Sequence, residues 1–258
     1  MCKPEVLVFE DKNKLSRAAA DLFVETATVA VKKTGRFSVL LAGGGTPRSL
    51  YQLLATEPYV GRMPWSATHL FWGDERFVPP EHEESNHGMV RKALIGQVPL
   101  PPENVHPVPT VDYPDVYSVA DAYDSGMRRE FTKYENDNKS KIGNFPRFDL
   151  VLLGMGADGH TASLFPGCET ALREYSRLAV AVEAPTGYET AERVTVTLPV
   201  LNRASAVLFM AAGSEKRQVL DAVLNDPGTA RMKYPAAMVR PENGRLIWYL
   251  DSEADVTS

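Results

Sequence analysis

The chain has 258 residues, 44% hydrophobic and 24% charged, and its 28 Lys and Arg against 33 Asp and Glu leave a formal net charge of −5. This composition excludes a disordered or fibrous chain and supports a sizeable core without disulfide staples. The acidic balance also lacks the electrostatic footprint of a general nucleic-acid binder. The longest uninterrupted apolar stretch, Ala206 to Ala212, is far shorter than the roughly 18 to 20 residues of a membrane span. Met1-Cys2-Lys3-Pro4-Glu5 lacks the basic-then-apolar pattern of a secretory signal, so the expected setting is the cytosol, with no membrane and no nucleic-acid partner. Cys2 and Cys168 are the two cysteines, and both thiols are read as reduced.

Val6 to Phe9 reads as a short strand. From Asp11 the pattern turns helical, with Leu15, Ala18, Ala19, Leu22, Phe23, Thr26, Val29 and Ala30 on one face and Lys32, Lys33 and Gly35 as the stop signal. Phe37 to Ala42 is mostly apolar and too short for a helix, which predicts a strand buried on both faces. It runs into Gly43-Gly44-Gly45-Thr46-Pro47, where Thr46 is expected as N-cap and Pro47 as the first helical residue, with Leu50, Leu53 and Leu54 turned inward. A second unit starts with a strand at Thr68 to Trp72, delivers Gly73-Asp74-Glu75-Arg76, and continues to a helix expected over Asn86 to Ile95. Pro99 to Pro114 holds six prolines in sixteen residues and is read as an irregular surface connection. Tyr117 to Tyr134 is expected as a helix, Asn136 to Lys141 as a loop, and Phe148 to Leu153 as a buried strand feeding Gly154-Met155-Gly156-Ala157-Asp158-Gly159-His160.

Later strands are expected at Leu178 to Val182, Val194 to Leu198, Ala206 to Ala211 and Leu246 to Leu250, with a helix from Glu215 to Leu224. The alternation predicts a doubly wound, mostly parallel sheet flanked by helices, and the length fits one large α/β domain or two small ones. In such sheets ligands bind beyond the carboxyl ends of the strands. Four loops in that position carry the unusual residues: Gly43 to Pro47, Gly73 to Arg76, Gly154 to His160 and Gly213 to Lys216.

Gly43, Gly44, Gly45 and Thr46 allow a tight turn whose free N–H groups and helix dipole favour an anion such as phosphate; a tight turn without a ligand is the alternative. The spacing is not that of a nucleotide P-loop. Gly154 to Gly159 satisfies Gly-x-Gly-x-x-Gly, but a dinucleotide site needs a long helix starting inside it, and Pro166-Gly167 arrives seven residues after Gly159. Asp158 and His160 on an irregular loop suit general acid–base work, with the carboxylate orienting the imidazole, or else an Asx-turn with a bystander histidine. His82 and His87 are five apart, about 140° round a helix, and do not form a zinc pair. No Cys-x-x-Cys and no Gly-x-Ser-x-Gly elbow occurs, so a hydrolysis here would use activated water. Asp74, Glu75 and Arg76 read equally as a surface salt-bridge cluster, and Lys216 as a solvated first-turn lysine.

Taken together, these loops resemble the 6-phosphogluconolactonase family. Leu41-Ala42-Gly43-Gly44-Gly45-Thr46-Pro47, Trp72-Gly73-Asp74-Glu75-Arg76-Phe77-Val78-Pro79, Ser85-Asn86-His87-Gly88-Met89 and the block from Leu153 to Gly167 occur in that family's order. Arg193-Val194-Thr195-Val196-Thr197-Leu198-Pro199 and Trp248-Tyr249-Leu250-Asp251 continue it nearly to the end of the chain, and this motif order reads residues 1–258 as one continuous α/β domain. The resemblance implies a Rossmann-like fold shared with glucosamine-6-phosphate deaminase and ribose-5-phosphate isomerase, with no metal or organic cofactor. Its implied reaction is hydrolysis of a small-molecule sugar-phosphate lactone, by a monomer or a homodimer. It further implies His160 as base, Asp158 orienting it, and Arg76 or glycine-loop N–H groups at the oxyanion. Gly43, Gly44, Gly45, Thr46, Asp74, Arg193 and Lys216 would bind the substrate and its phosphate. A deaminase-like enzyme is the nearest rival, but that family resembles Asp-Gly-His followed by an Asn-Glu-Pro segment, and Ser163-Leu164-Phe165-Pro166-Gly167 has no acid. A non-catalytic sugar-phosphate sensor would need a DNA-binding helix pair and a basic face, neither of which the sequence presents.

Overall fold

Five consecutive residues as apolar as Phe37–Leu41 are stable where both faces of a strand are covered, and all five are buried. The computed structural model describes residues 4–133 and 145–257; Cys2, the loop expected at Asn136 to Lys141 and the end of the helix expected to reach Tyr134 lie outside them. In chain order the elements are β1 (Glu5–Phe9), α1 (Lys12–Thr34), β2 (Phe37–Leu41), α2 (Gly45–Leu54), α3 (Tyr59–Arg62), β3 (Thr68–Trp72), β4 (Asp74–Arg76), α4 (Asn86–Ala93), β5 (Val105–His106) and α5 (Val116–Thr132). There follow β6 (Leu150–Leu153), α6 (Glu169–Leu172), β7 (Ala179–Glu183), β8 (Glu192–Val196), α7 (Leu198–Asn202), β9 (Ala206–Ala211), α8 (Arg217–Asn225), α9 (Pro227–Ala230), α10 (Pro235–Met238) and β10 (Arg245–Asp251).

The main sheet has seven strands in the order β1-β10-β9-β6-β2-β3-β5, and its described pairings are parallel. The strands expected at Leu178 to Val182 and Val194 to Leu198 exist as β7 and β8, but they do not join that sheet. They form a separate antiparallel sheet with β4, in the order β4-β8-β7. Apolar runs specify burial and not the neighbour, so the partner of each strand was not legible locally. The Pro-rich connection likewise contains the two-residue β5, paired to Leu70 and Phe71 at the sheet edge. Prolines that cannot donate to a ladder are compatible with so short an edge strand.

Helix α1 starts where Asp11 accepts from the Lys14 N–H at 2.8 Å and stops at Gly35, whose φ is 80°. Its buried arc is centred nearer Ala20, Phe23 and Ala27, so Val29, expected inward, is 58% exposed on the far side. Helix α2 begins earlier than expected. Gly44, at φ 96°, is its cap and Pro47 its third residue, because a glycine reaches that backbone conformation and the chain enters the helix before Thr46.

Where β2 and β3 leave the sheet, two tyrosines replace missing strands. β6 pairs with β2 only at Val39 and Leu40, and Ala42 beyond is bonded at both its N–H (3.0 Å) and its C=O (2.8 Å) by the Tyr51 hydroxyl. The pairing of β5 with β3 ends at Phe71, and the Trp72 N–H and C=O both meet the Tyr123 hydroxyl at 2.8 Å. Burial pushes both phenols far up, so each stays protonated and donates to the carbonyl. Tyr123→Phe leaves both Trp72 groups without these bonds and is expected to cost about 1–3 kcal/mol in urea unfolding; an unchanged midpoint would show that water replaces the hydroxyl.

Candidate active site

The strand order reverses between β2 and β6: the chain runs outward from β2 through β3 to β5, then on the other side of β2 outward from β6 through β9 to β10, beside which the first strand, β1, forms the far edge. A crevice opens at such a reversal because the two exit loops diverge. The exit of β2 is the triple-glycine turn and the exit of β6 is the Gly154 to His160 loop. Between them lies a cleft of about 210 Å³ lined by Gly43, Gly44, Gly45, Thr46, Asp74, Arg76, Asn86, His160, Arg193 and Lys216, among others. Apart from Asp158, which holds His160, this includes every residue singled out from the sequence for the site. A larger cavity of about 980 Å³ lies near the amino ends of β9 and β10, lined by Asn202, Arg203, Gly244 and Leu246, and contains none of them.

The small sheet roofs the cleft and supplies its charge. Gly73 links the two sheets: its N–H donates to the Leu41 carbonyl and its C=O accepts from Val196, both at 2.9 Å. One residue on, β4 and β8 set Arg76 directly opposite Arg193. Arg193 is 3% exposed. Its Nε donates to the Thr190 carbonyl at 3.0 Å and its guanidinium lies over the Tyr188 ring, 5.0 Å from the centroid. Arg76 donates through Nη1 to the Glu84 carbonyl, while its buried Nε has no hydrogen-bond partner among the described residues. Burial first, and then the charge of Arg76, hold the Arg193 guanidinium below the ordinary arginine range. Two opposed guanidiniums, one almost wholly buried, favour an anion between or beside them.

Glu75, expected as part of a charge cluster, points to the other side and builds the fold. Its carboxylate accepts from the N–H groups of His87 (2.7 Å), Asn86 (2.8 Å) and Arg76 (2.9 Å) and from the Ser85 hydroxyl (3.2 Å). It thereby pins the start of α4, where Ser85 caps the Gly88 N–H at 3.0 Å. This brings Asn86 into the cleft, donating to the Asp74 carbonyl at 3.0 Å. Gly43 admits it: a Cβ there would stand 2.0 Å from Asn86 Oδ1. Asp74 in turn accepts from the Ser163 hydroxyl at 2.6 Å. The start of α2, whose first N–H groups have no side-chain cap, is the end of the cleft suited to an anion. Lys216 is held there by a 3.0 Å bond to the Ala212 carbonyl, on a turn whose Gly213 N–H is gripped by Asp251 at 3.1 Å.

His160 Nδ1 lies 2.5 Å from Asp158 Oδ1, and the Tyr188 hydroxyl is 3.2 Å from the same nitrogen and 3.4 Å from Asp158 Oδ2. Burial raises the Asp158 carboxyl, but the hydrogen bond and charge of His160 outweigh it and hold Asp158 below the usual carboxylate range. An ionised Asp158 assigns the proton to Nδ1 and leaves Nε2 as the basic nitrogen. The loop is closed by Gly156 N–H to the His160 carbonyl at 3.0 Å, and a Cβ at Gly156 would lie 2.2 Å from the His160 ring. No long helix begins in this loop; α6 starts only at Glu169, so the dinucleotide fingerprint has no helix N-terminus to work with.

Sequence reasoning missed Asn86, Ser163, Tyr188 and Lys12, whose Nζ would stand 3.6 Å from a Cβ on Gly45. Asn86 and Ser163 lie inside recognised blocks, which was a usable signal. Tyr188 sits in the connection between β7 and β8, and Lys12 opens α1; neither carries a pattern of its own. Among the described residues, the one group of three metal-ligating side chains is outside the cleft, at His69, His106 and Glu130.

The chain matches the family described as glucosamine-6-phosphate isomerases/6-phosphogluconolactonase over residues 10–248, and it belongs to that family. It is 40% identical over 252 residues to the 6-phosphogluconolactonase of a Nostoc species, covering 98% of this chain and 97% of the relative. The structure of 6-phosphogluconolactonase from Trypanosoma cruzi is similar with a TM-score of 0.84 at 31% identity, covering 99% and 98% of the two chains. A monomeric glucosamine-6-phosphate deaminase reaches a TM-score of 0.77 over 97% of this chain at 16% identity, a likeness that carries the fold alone.

Burial of Glu75, opposed by its N–H donors, raises its carboxyl from an ordinary 4.5 to about 7. Between those values the folded state binds more protons than the unfolded state, so this group's contribution to stability falls as pH rises through the window. Glu75→Gln is expected to remove that slope. Urea unfolding at about pH 5 and about pH 8 measures it, and equal slopes in both proteins would overturn the assignment.

Proposed function

We propose that the protein hydrolyses 6-phospho-D-glucono-1,5-lactone to 6-phospho-D-gluconate, the lactonase step of the oxidative pentose phosphate pathway, with water as the nucleophile. The observation that carries this reading is the His160–Asp158 pair facing the same cleft as the opposed Arg76 and Arg193, with Asp158 and Tyr188, and no serine or thiol, bonded to the imidazole among the described residues. The family relatives named 6-phosphogluconolactonase support it.

In this mechanism the amides of Gly44, Gly45 and Thr46, with Arg193 and Lys216, hold the phosphate, and Gly43 gives the turn its clearance. Asp74, fixed by Ser163 and Asn86, accepts from the sugar hydroxyls. His160 Nε2 takes a proton from water as the water oxygen attacks the lactone carbonyl. The resulting imidazolium, steadied by Asp158, returns a proton to the ring oxygen as its bond to the carbonyl carbon breaks. Arg76, or an amide of the glycine loop, stabilises the oxyanion. An activated ester needs one base and one oxyanion site, so no covalent intermediate is invoked. The reading includes a cytosolic setting, which the free Cys168 suits, although plant relatives include chloroplastic proteins.

His160→Ala is expected to lower kcat by about 10²–10⁴-fold with the fold intact, followed as proton release from freshly made lactone; near-native turnover would remove His160 from the mechanism. Lys216→Met is expected to raise KM about tenfold or more with little change in kcat, and an unchanged KM would move the phosphate elsewhere. Glucosamine 6-phosphate assayed in parallel should release no ammonia. Lactone loss no faster than the buffer blank would sink the proposed activity.

A further inference from the structure

A second constellation lies at the edge of the main sheet, away from the cleft and unused by the proposed reaction. His69 is the second residue of β3 and His106 the last of β5. Phe71 is the register partner of His106, so His69, two residues before it, shares the same face. Helix α5 covers that face and contributes Glu130. His69 Nδ1 is 3.2 Å from His106 Nε2 and 3.8 Å from Glu130 Oε1. The three ligand atoms all lie within 4.8 Å of one another.

We propose that His69, His106 and Glu130 form a binding site for a divalent transition ion of the zinc class, joining β3, β5 and α5. Three donors around zinc at its usual bond lengths stand about 3.3 Å apart. The histidine pair already has that spacing, and the carboxylate oxygen closes on it by a small rotation of its side chain. Two imidazoles with one carboxylate select zinc-like ions over magnesium or calcium, which prefer all-oxygen shells.

The surroundings suit the donors. Phe71 stacks on the His106 ring at 4.4 Å and 20°, fixing its plane. Lys133 Nζ bonds the other carboxylate oxygen, Oε2, at 2.6 Å and orients Oε1 toward the histidines. Glu130 is only 7% exposed, and at 3.8 Å its Oε1 is too far from His69 for a hydrogen bond. An ion between the three groups would take this carboxylate oxygen as a ligand. Burial lowers both imidazoles, His106 to about 4, so both are neutral ligands near pH 7. Against the upward push of burial, the Lys133 hydrogen bond holds Glu130 below its ordinary range. Arg36 and Lys133 are the other charged groups acting on the cluster. Both are cationic and weaken the binding of any cation there.

The site is tested by stripping the purified full chain with a chelator and titrating it with cobalt(II), then zinc, following the visible cobalt spectrum, bound-metal stoichiometry and the unfolding temperature. His160→Ala serves as a control for metal capture in the cleft. The expected result is one equivalent bound in wild type and His160→Ala, with at least tenfold weaker binding in His106→Gln and Glu130→Gln. Zinc should raise the unfolding temperature of the first two proteins only, and lactone turnover of His106→Gln should be unchanged, so the outcome stands apart from the proposed activity. Equal binding in wild type and the two cluster variants, loss of binding in His160→Ala, or no bound equivalent would each overturn the proposal. Circular dichroism verifies the fold of each variant, and Glu130→Gln decides the matter if His106→Gln does not fold.

Discussion

Two guanidiniums facing each other across an antiparallel ladder are the constraint around which the cleft is organised. Arg76 and Arg193 are register partners, and Arg193 is almost completely buried. Like charges in a desolvated setting are unfavourable unless neighbouring groups hold them. The neighbours are specific: the Thr190 and Glu84 carbonyls accept from them, the Tyr188 and Phe165 rings lie beneath Arg193, and the carboxylates of Asp74 and Glu84 oppose their charge. Thr190 also donates to Glu84, tying the connection between β7 and β8 to the segment before α4. The small sheet is thus a platform that keeps cationic groups dry beside the start of α2.

The same platform reaches the histidine. Tyr188 lies against Arg193 with its ring and touches His160 and Asp158 with its hydroxyl, so one residue contacts both Arg193 and the His160–Asp158 pair. Phe165 backs both, 4.9 Å from the His160 ring and 5.1 Å from Tyr188. Geometry fixed by closely packed aromatic rings and short loops needs little reorganisation when a ligand arrives. Ala162, two residues from His160, holds a φ of 48°, a conformation uncommon outside glycine, and lines the cleft.

Much of this was legible in the chain. β3 and β9 match the runs Thr68 to Trp72 and Ala206 to Ala211 residue for residue, because mostly apolar runs of that length are too short for a helix and read as buried strands. The loops bearing Gly43 to Thr46, Asp158 to His160 and Lys216 converge, since strand ends in a parallel sheet point one way, whereas Asp74, Arg76 and Arg193 reach the same cleft from the antiparallel sheet. What failed was what depends on partners distant in sequence. Glu75 looked like surface charge and is a buried cap, because Ser85, Asn86 and His87 fold back onto it from ten to twelve residues away. The closing Trp248-Tyr249-Leu250-Asp251 was visible as a pattern without a role, until Asp251 met the Gly213 turn 38 residues earlier.

The sequence by itself determined the periodicities, the glycine turns and the chemistry available to the site, because hydrophobic pattern and backbone freedom are local properties of a chain. Only the tertiary structure decided that β7 and β8 leave the parallel sheet to join β4, and that Arg76 faces Arg193 across 117 residues of chain. It likewise set His69, His106 and Glu130 side by side. Pairing between remote segments is chosen by the packing of the whole core and by the need to satisfy every buried charge, and no local stretch of residues contains that choice.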